Sequence, residues 1–178
     1  MQESTAYLGS DDAIGLLKKV DCNDAVIRHC IAVSRNATEI AREIRENGHE
    51  VDIEFVKIAA LLHDIGRSRT HGISHGIEGA KILRNFGLEE KFANVCERHI
   101  GAGLTKDDAV SLGLPPRDYL PQTLEEKIIA HADNITSKDK VVDISVTIRD
   151  FERKLGGGHP AIARLKELND FIGGLIKK

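Results

Sequence analysis

The sequence predicts an all-α, single-domain helical bundle, and three observations carry that expectation. Apolar residues recur at helical spacing along most of the chain, no segment alternates as a half-buried strand does, and the periodic stretches are bounded by helix starts and stops. The 178 residues suit one core, because a chain of this size buries roughly two thirds of its unfolded surface without disulfides. No internal repeat or low-complexity tract divides it, so residues 1–178 are expected to form one unit.

Each element has its own signal. Ser10 followed by Asp11 and Asp12 reads as an N-cap with an acidic first turn, and Ile14, Leu16, Leu17 and Val20 supply an apolar face, which predicts a helix over about 11–20. From Asn23 to Asn47 the positions Val26, Ile27, Cys30, Ala37, Ile40, Ala41 and Ile44 make a long amphipathic helix carrying His29, and Asn47-Gly48 stops it. Asp52 caps IEFVKIAALLHDIG, whose nearly continuous apolar surface predicts a helix buried on most sides until Gly66. A polar loop, RSRTHGIS, leads to a helix from Ser74 to about Asn85, and GLEEKFANVCERHIG forms another ending near Gly101. A Gly-, Pro- and Asp-rich loop is expected over about 101–121, then a helix in TLEEKIIAHADNI carrying Asp133, then helices over about 140–155 and 160–176. In GGGHP the glycines read as a helix stop and Pro160 as the first residue of the next helix, since the P-loop Lys-Ser/Thr signature is missing.

Composition narrows the function. Hydrophobic residues at 41% and charged residues at 30% exclude a disordered chain. A net charge of -3 provides no overall basic field for DNA or an anionic membrane. Cys22, Cys30 and Cys96 are odd in number and contain no C-x-x-C pair, which argues against a disulfide framework and against a thiolate zinc site. MQESTAYLGSDDAIG has neither a basic start nor an apolar run, and no stretch approaches the ~20 residues that span a bilayer, so a soluble cytoplasmic protein is expected.

The chemistry concentrates at His63-Asp64. Asp64 lies in an apolar helix, where an ionised carboxylate needs a compensating partner, and adjacent helix positions separated by about 100° let His63 and Asp64 flank one ion. Taken alone, the dipeptide is weak evidence and better fits a capping carboxylate beside a hydrogen-bonded core histidine. What adds specificity is the order: His29 upstream in a long helix, then HDIGR, then HADNI with Asp133.

With those residues the sequence resembles the HD-domain metal-dependent phosphohydrolase superfamily, whose motif is H, then HD, then D, each on a separate helix of an all-α bundle. The resemblance covers about residues 24–140, with the helices of 140–178 expected to pack on the same domain. Carried over by position, it implies His29, His63, Asp64 and Asp133 as ligands of one ion. His75, opening SHGIEGAKIL, and His99, ending VCERHIG, fall where dinuclear members of the superfamily hold a second ion, with Asp64 bridging. On residue type alone, His75 reads as a helix-cap histidine and His99 as a histidine favourably placed at a helix C-terminus.

Asp64 and Arg67, the latter directly after HDIG, are candidate catalytic groups, and Arg67, Arg69 and His71 are candidate contacts for a substrate phosphate, a role that suits forked guanidinium donors. His131 is a further candidate supporting group, whereas His49 and His159 flank turns. The donor set admits one or two divalent ions, Fe or Mn foremost, with Co, Ni and Zn compatible.

The resemblance implies hydrolysis of a phosphomonoester or phosphodiester, a nucleotide foremost, by metal-activated water, in a monomer or homodimer. The chain is most similar to small stand-alone HDIG-type prokaryotic proteins. It lacks the GYP tripeptide of cyclic-dinucleotide phosphodiesterases and the glutamate after HD-x-x of mononuclear nucleotidases. The alternatives are a mixed-valent diiron oxygenase of the same fold and a non-catalytic nucleotide-binding helical module.

Overall fold

A computed structural model describes residues 8–176, so the first seven residues, on which the reading of a leaderless N-terminus largely rests, lie outside the described range. The described residues are dominated by helices, as expected. Helix α1 (Ser10–Lys19) starts one residue before the expected position, with Gly9 at the cap and its N–H donating to the Asp12 carboxylate at 3.0 Å. Helix α2 (Asp24–Glu46) is capped by Asn23, whose side chain accepts from the Val26 N–H, and α3 (Ile53–Leu62) by Asp52, which accepts from the Phe55 N–H.

Helix α3 ends sooner than the apolar run suggests. After Leu62 the chain tightens through His63 and Asp64 into a 3-10 turn at Ile65–Ser68. Helices α4 (His75–Asn85) and α5 (Glu90–Arg98) follow as expected.

The expected loop over 101–121 contains a further helix, α6 (Lys106–Ser111). Thr105 and Asp108 satisfy each other's backbone N–H groups at its start, a T-x-x-D box that was present in the sequence. Helix α7 (Leu124–Asn134) is capped by Thr123. Beyond it, β1 (Thr136–Ser137) pairs antiparallel with β2 (Lys140–Val141). This hairpin corrects the expectation of no strand. It is too short for alternation to register, and its turn is set by Lys138 in the left-handed region at φ 57. It also delays α8 (Ile144–Leu155) to the residue after Asp143, which caps it. Helix α9 (Pro160–Ile176) begins at the expected proline.

Helix α3 is the shared centre. Its residues Ile58, Leu61 and Leu62 join a cluster with Leu17, Cys30, Leu83 and Cys96 from α1, α2, α4 and α5. Its opposite side, through Val56, Ala59 and Ala60, joins Val33, Ile44, Ile128, Ile129 and Ile172 from α2, α7 and α9. The all-round apolar sequence of α3 is thus explained by burial on both sides. No described helix is long and apolar enough to cross a membrane.

A close backbone contact brings α4 onto the end of α3. A Cβ on Gly66 would lie 1.8 Å from the His75 carbonyl oxygen and 2.5 Å from the Gly79 nitrogen, so only glycine permits this approach. Gly66→Ala is therefore expected to destabilise the protein by about 1–3 kcal/mol or more. Gly15→Ala, in α1 with nothing within 4 Å of the added carbon, should instead stabilise it by about 0.5–1 kcal/mol. Thermal unfolding of the two variants checks both signs; an unaltered midpoint for Gly66→Ala would disprove the contact.

Candidate metal centre

Five helical segments converge on one point. His29 comes from α2, His63 and Asp64 from the end of α3, His75 from the first position of α4, His99 from the residue after α5 and Asp133 from α7. Three of these residues are almost entirely buried: His63 at 0% exposure, Asp64 at 2% and His99 at 2%. The residues between which the sequence leaves a choice, a capping carboxylate and isolated terminal histidines or one cluster, are brought together.

The four imidazoles share one orientation. Each has Nδ1 against a backbone carbonyl: His29 with Lys138 at 2.8 Å, His63 with Ala60 at 2.7 Å, His75 with Gly72 at 2.8 Å and His99 with Cys96 at 2.7 Å. A carbonyl oxygen can only accept, so Nδ1 carries the proton in every ring and, in the neutral form, each Nε2 presents a lone pair to the centre. Backbone carbonyls holding the far nitrogen are the usual way proteins aim histidines at a metal.

The Nε2 atoms divide between the two oxygens of Asp64. Oδ2 faces His29 at 4.0 Å and His63 at 3.8 Å, while Oδ1 faces His75 at 3.2 Å and His99 at 3.4 Å. Asp133 completes the first group, with Oδ1 2.9 Å from His29 Nε2 and 3.4 Å from His63 Nε2. Donor atoms of His29, His63 and Asp133, and of His63, Asp64 and His99, lie within 4.8 Å of one another.

Three features fit a cation. His75 Nε2 and His99 Nε2 are 3.1 Å apart, which sets lone pair against lone pair when both rings are neutral. His63 Nε2 and Asp64 Oδ1 are buried without a hydrogen-bond partner. Two carboxylates and four imidazoles make an oxygen and nitrogen donor set suited to first-row divalent ions.

The electrostatics point the same way. Burial works against charge on Asp64, yet His63, His75 and His99 hold its carboxyl well below the ordinary carboxylate range. Asp133 is held down by His29 and His63 despite its desolvation. Burial lowers the proton affinity of His99, whereas at His63 the carboxylates of Asp64 and Asp133 outweigh burial and raise it. Both aspartates are therefore ionised at neutral pH.

A cleft of about 350 Å³ opens over the cluster, reaching His75, His99 and Asp133. Arg67 and His71 both line it, and the Arg67 Nε donates to Asp64 Oδ2 at 2.6 Å. Arg69, expected beside them, is exposed and lines a different cavity with Lys19 and Phe86. In a 3-10 turn of three residues per turn, positions two apart project to different sides. His131 is buried away from the cleft, and burial pushes it down to about 4. Cys30 and Cys96 stay in the core, as their residue type suggested.

Sequence reasoning missed much of the lining, including Asn134, Thr147, Phe151 and Lys154. The available signal was the helical spacing of Thr147, Phe151 and Lys154 on one face of α8. It also missed that the β1–β2 turn supplies the carbonyl that orients His29.

Comparison with known proteins agrees with this architecture. The HD domain family profile matches residues 26–138. An uncharacterized protein of Methanocaldococcus jannaschii is 55% identical, covering 94% of this chain and 98% of that protein. The tRNA (cytidine(56)-2'-O)-methyltransferase of Picrophilus torridus is 38% identical over 93% of this chain, and that of Thermoplasma volcanium is 39% identical over 92%; the chain spans 46% of the length of each. Among solved structures, the HD domain of the Listeria monocytogenes phosphodiesterase PgpH in complex with cyclic-di-AMP superposes with a TM-score of 0.56 at 18% identity, covering 92% of this chain and 98% of that one. At that identity it is a likeness of fold. With the profile spanning most of the chain and the H, HD and D residues gathered at one point, the chain belongs to the HD-domain family.

Proposed function

We propose that the chain is a metal-dependent phosphohydrolase acting on a phosphomonoester or phosphodiester, with a nucleotide as the substrate class. The observation that carries this reading is the placement of the two Asp64 oxygens, each facing a separate pair of imidazole Nε2 atoms beneath a cleft lined by cationic side chains. His29, His63, Asp64 and Asp133 would hold one ion, and His75 and His99, with Asp64 shared, a second; Fe or Mn suits the set best, with Co, Ni and Zn compatible. A divalent ion bound there supplies water of lowered pKa and neutralises charge on phosphoryl oxygens.

The chain's own groups do the remaining work. Carbonyl-anchored imidazoles keep their lone pairs aimed at the centre, so little reorganisation is needed. Arg67, fixed by its Nε on Asp64, leaves its other guanidinium N–H groups to meet a phosphate oxygen, and His71 stands at the same cleft. The buried floor keeps bulk solvent from the far side of the centre. The phosphodiesterase neighbour and its nucleotide ligand support the substrate class, as do relatives named ribonuclease Y, one of them from Thermosipho melanesiensis.

Protein purified without chelator is expected to hold about two metal ions per chain and to release phosphate or cleave a phosphodiester when supplied with Mn(II). Asp64→Ala should lose metal and reduce kcat/KM by more than about 100-fold, since even partners that only support a ligand contribute 10- to 100-fold. Full activity in that variant would sink the assignment.

His75→Ala and His99→Ala are each expected to lower the metal content from about two to one, read by elemental analysis. Unaltered content would move both residues to substrate contact or structure. Oxygen uptake by Fe-loaded protein without phosphoester turnover would favour the oxygenase alternative, and nucleotide binding with an intact centre but no turnover would favour the binding module.

A further inference from the structure

Helix α8 walls one side of the cleft, with none of its residues fully buried. It packs along α9 and is also tied to the segments that carry the candidate ligands. The Thr147 hydroxyl donates to the Asn134 carbonyl at 2.5 Å, and the Asn134 side chain donates to the Gly101 carbonyl at 2.9 Å. Gly101 has φ +57, and a Cβ there would lie 3.2 Å from the Phe151 ring. Phe151 is thus seated against the backbone two residues after His99, and Thr147 is bonded to the residue after Asp133.

Thr147, Phe151 and Lys154 lie on one face of α8, and that face lines the cleft. At its far end the Asp150 carboxylate bonds both Lys154, at 2.6 Å, and Arg153, at 2.5 Å. Of these three, Lys154 lines the cleft, whereas Asp150 and Arg153 line a neighbouring cavity with Thr136 and Val146. The same cleft is lined by Arg67 and His71, and by Phe151, Ile73 and Ile100 as apolar surface. Ile73 is 37% exposed, so that surface is open to a ligand. Cations beside a half-buried aromatic ring match a ligand with both an anionic group and a flat apolar face. A bare phosphate or a sugar phosphate would use the cations and leave the ring uncovered. The volume, about 350 Å³, is at the small end of the roughly 300–1,000 Å³ of ligand sites, which favours one nucleotide unit over two.

We propose that the cleft-facing side of α8 selects the substrate, with Phe151 stacking on the base of a single nucleotide and Lys154 meeting its phosphate. This rests on the phosphohydrolase reading for the reaction that follows, but not for binding.

The chain has no tryptophan, so Phe151→Trp installs a single indole reporter at the proposed stacking position. Adenosine 5'-monophosphate should quench its emission saturably, in Mn-loaded and in chelated protein, whereas ribose 5-phosphate should not. Adding Lys154→Gln should weaken the quenching titration at least about threefold, with the difference shrinking as salt is raised. In turnover, Phe151→Leu, which keeps an apolar side chain without a ring, should lower the kcat/KM preference for adenosine 5'-monophosphate over ribose 5-phosphate by about tenfold or more, and Phe151→Tyr should retain it. Absence of saturable quenching, or an unchanged preference in Phe151→Leu, overturns the proposal. Nucleotide-specific quenching without hydrolysis would uphold the α8 wall and remove the hydrolase reading. Equal hydrolysis of the two esters by the unmodified protein would do the reverse.

Discussion

A carboxylate buried at the end of an apolar helix is the constraint around which this protein is organised. Asp64 is 2% exposed and ionised, and an isolated charge in that position would be expelled or neutralised. The surroundings meet it with four imidazole nitrogens and one guanidinium, drawn from four separate parts of the chain. The helical framework makes sense as the means of delivering those groups: α3 is packed on both sides to hold the His63-Asp64 pair in place, and α2, α4, α5 and α7 each bring a single ligand-type residue to its end.

Hydrogen bonding decides what the cluster can do. A set of histidines could compensate two aspartates by donating protons to them, which would make the centre a structural ion network. The four Nδ1 contacts with carbonyls restrict that option, because each ring already uses one proton on the backbone and a second would make it a cation. Four such cations crowded within one buried site repel one another, and the 3.1 Å approach of His75 to His99 is the tightest instance. A divalent ion resolves the same geometry with neutral rings. Membership of the HD-domain family fits this arrangement, while its relatives include proteins named as a methyltransferase and a phosphodiesterase, so the chemistry has to be read from the site itself.

The cleft divides naturally into a floor and a wall. The floor is built from buried, backbone-anchored groups and is rigid by construction. The wall is α8, which has no fully buried residue and meets the floor through Thr147 and Phe151. Candidate ligand groups on the packed framework, with the proposed specificity groups on a helix at its edge, would follow a common division in enzymes.

Much of this was legible in the amino-acid order. Periodicity and capping residues such as Asn23, Asp52 and Thr123 determined the long helices, because those signals act between residues a turn apart. The unusual presence of His63-Asp64 in an apolar run, with His29 and Asp133 in order around it, pointed to the centre. Elements too short for periodicity were not legible: α6 and the β1–β2 hairpin depend on a single capping box and on one left-handed residue, Lys138. Local order also could not say that Arg67 faces the cleft and Arg69 another cavity, since that depends on the tight turn after Asp64. Nor could it place Phe151 and Lys154 over residues more than fifty positions earlier in the chain, or choose which oxygen of Asp64 meets which imidazole. The sequence by itself determined the long helices and the identity of the candidate site residues, through interactions within a few residues. Which groups meet, and what they enclose, was decided only by tertiary packing, because contacts such as Gly66 against His75 join segments that carry no local record of each other.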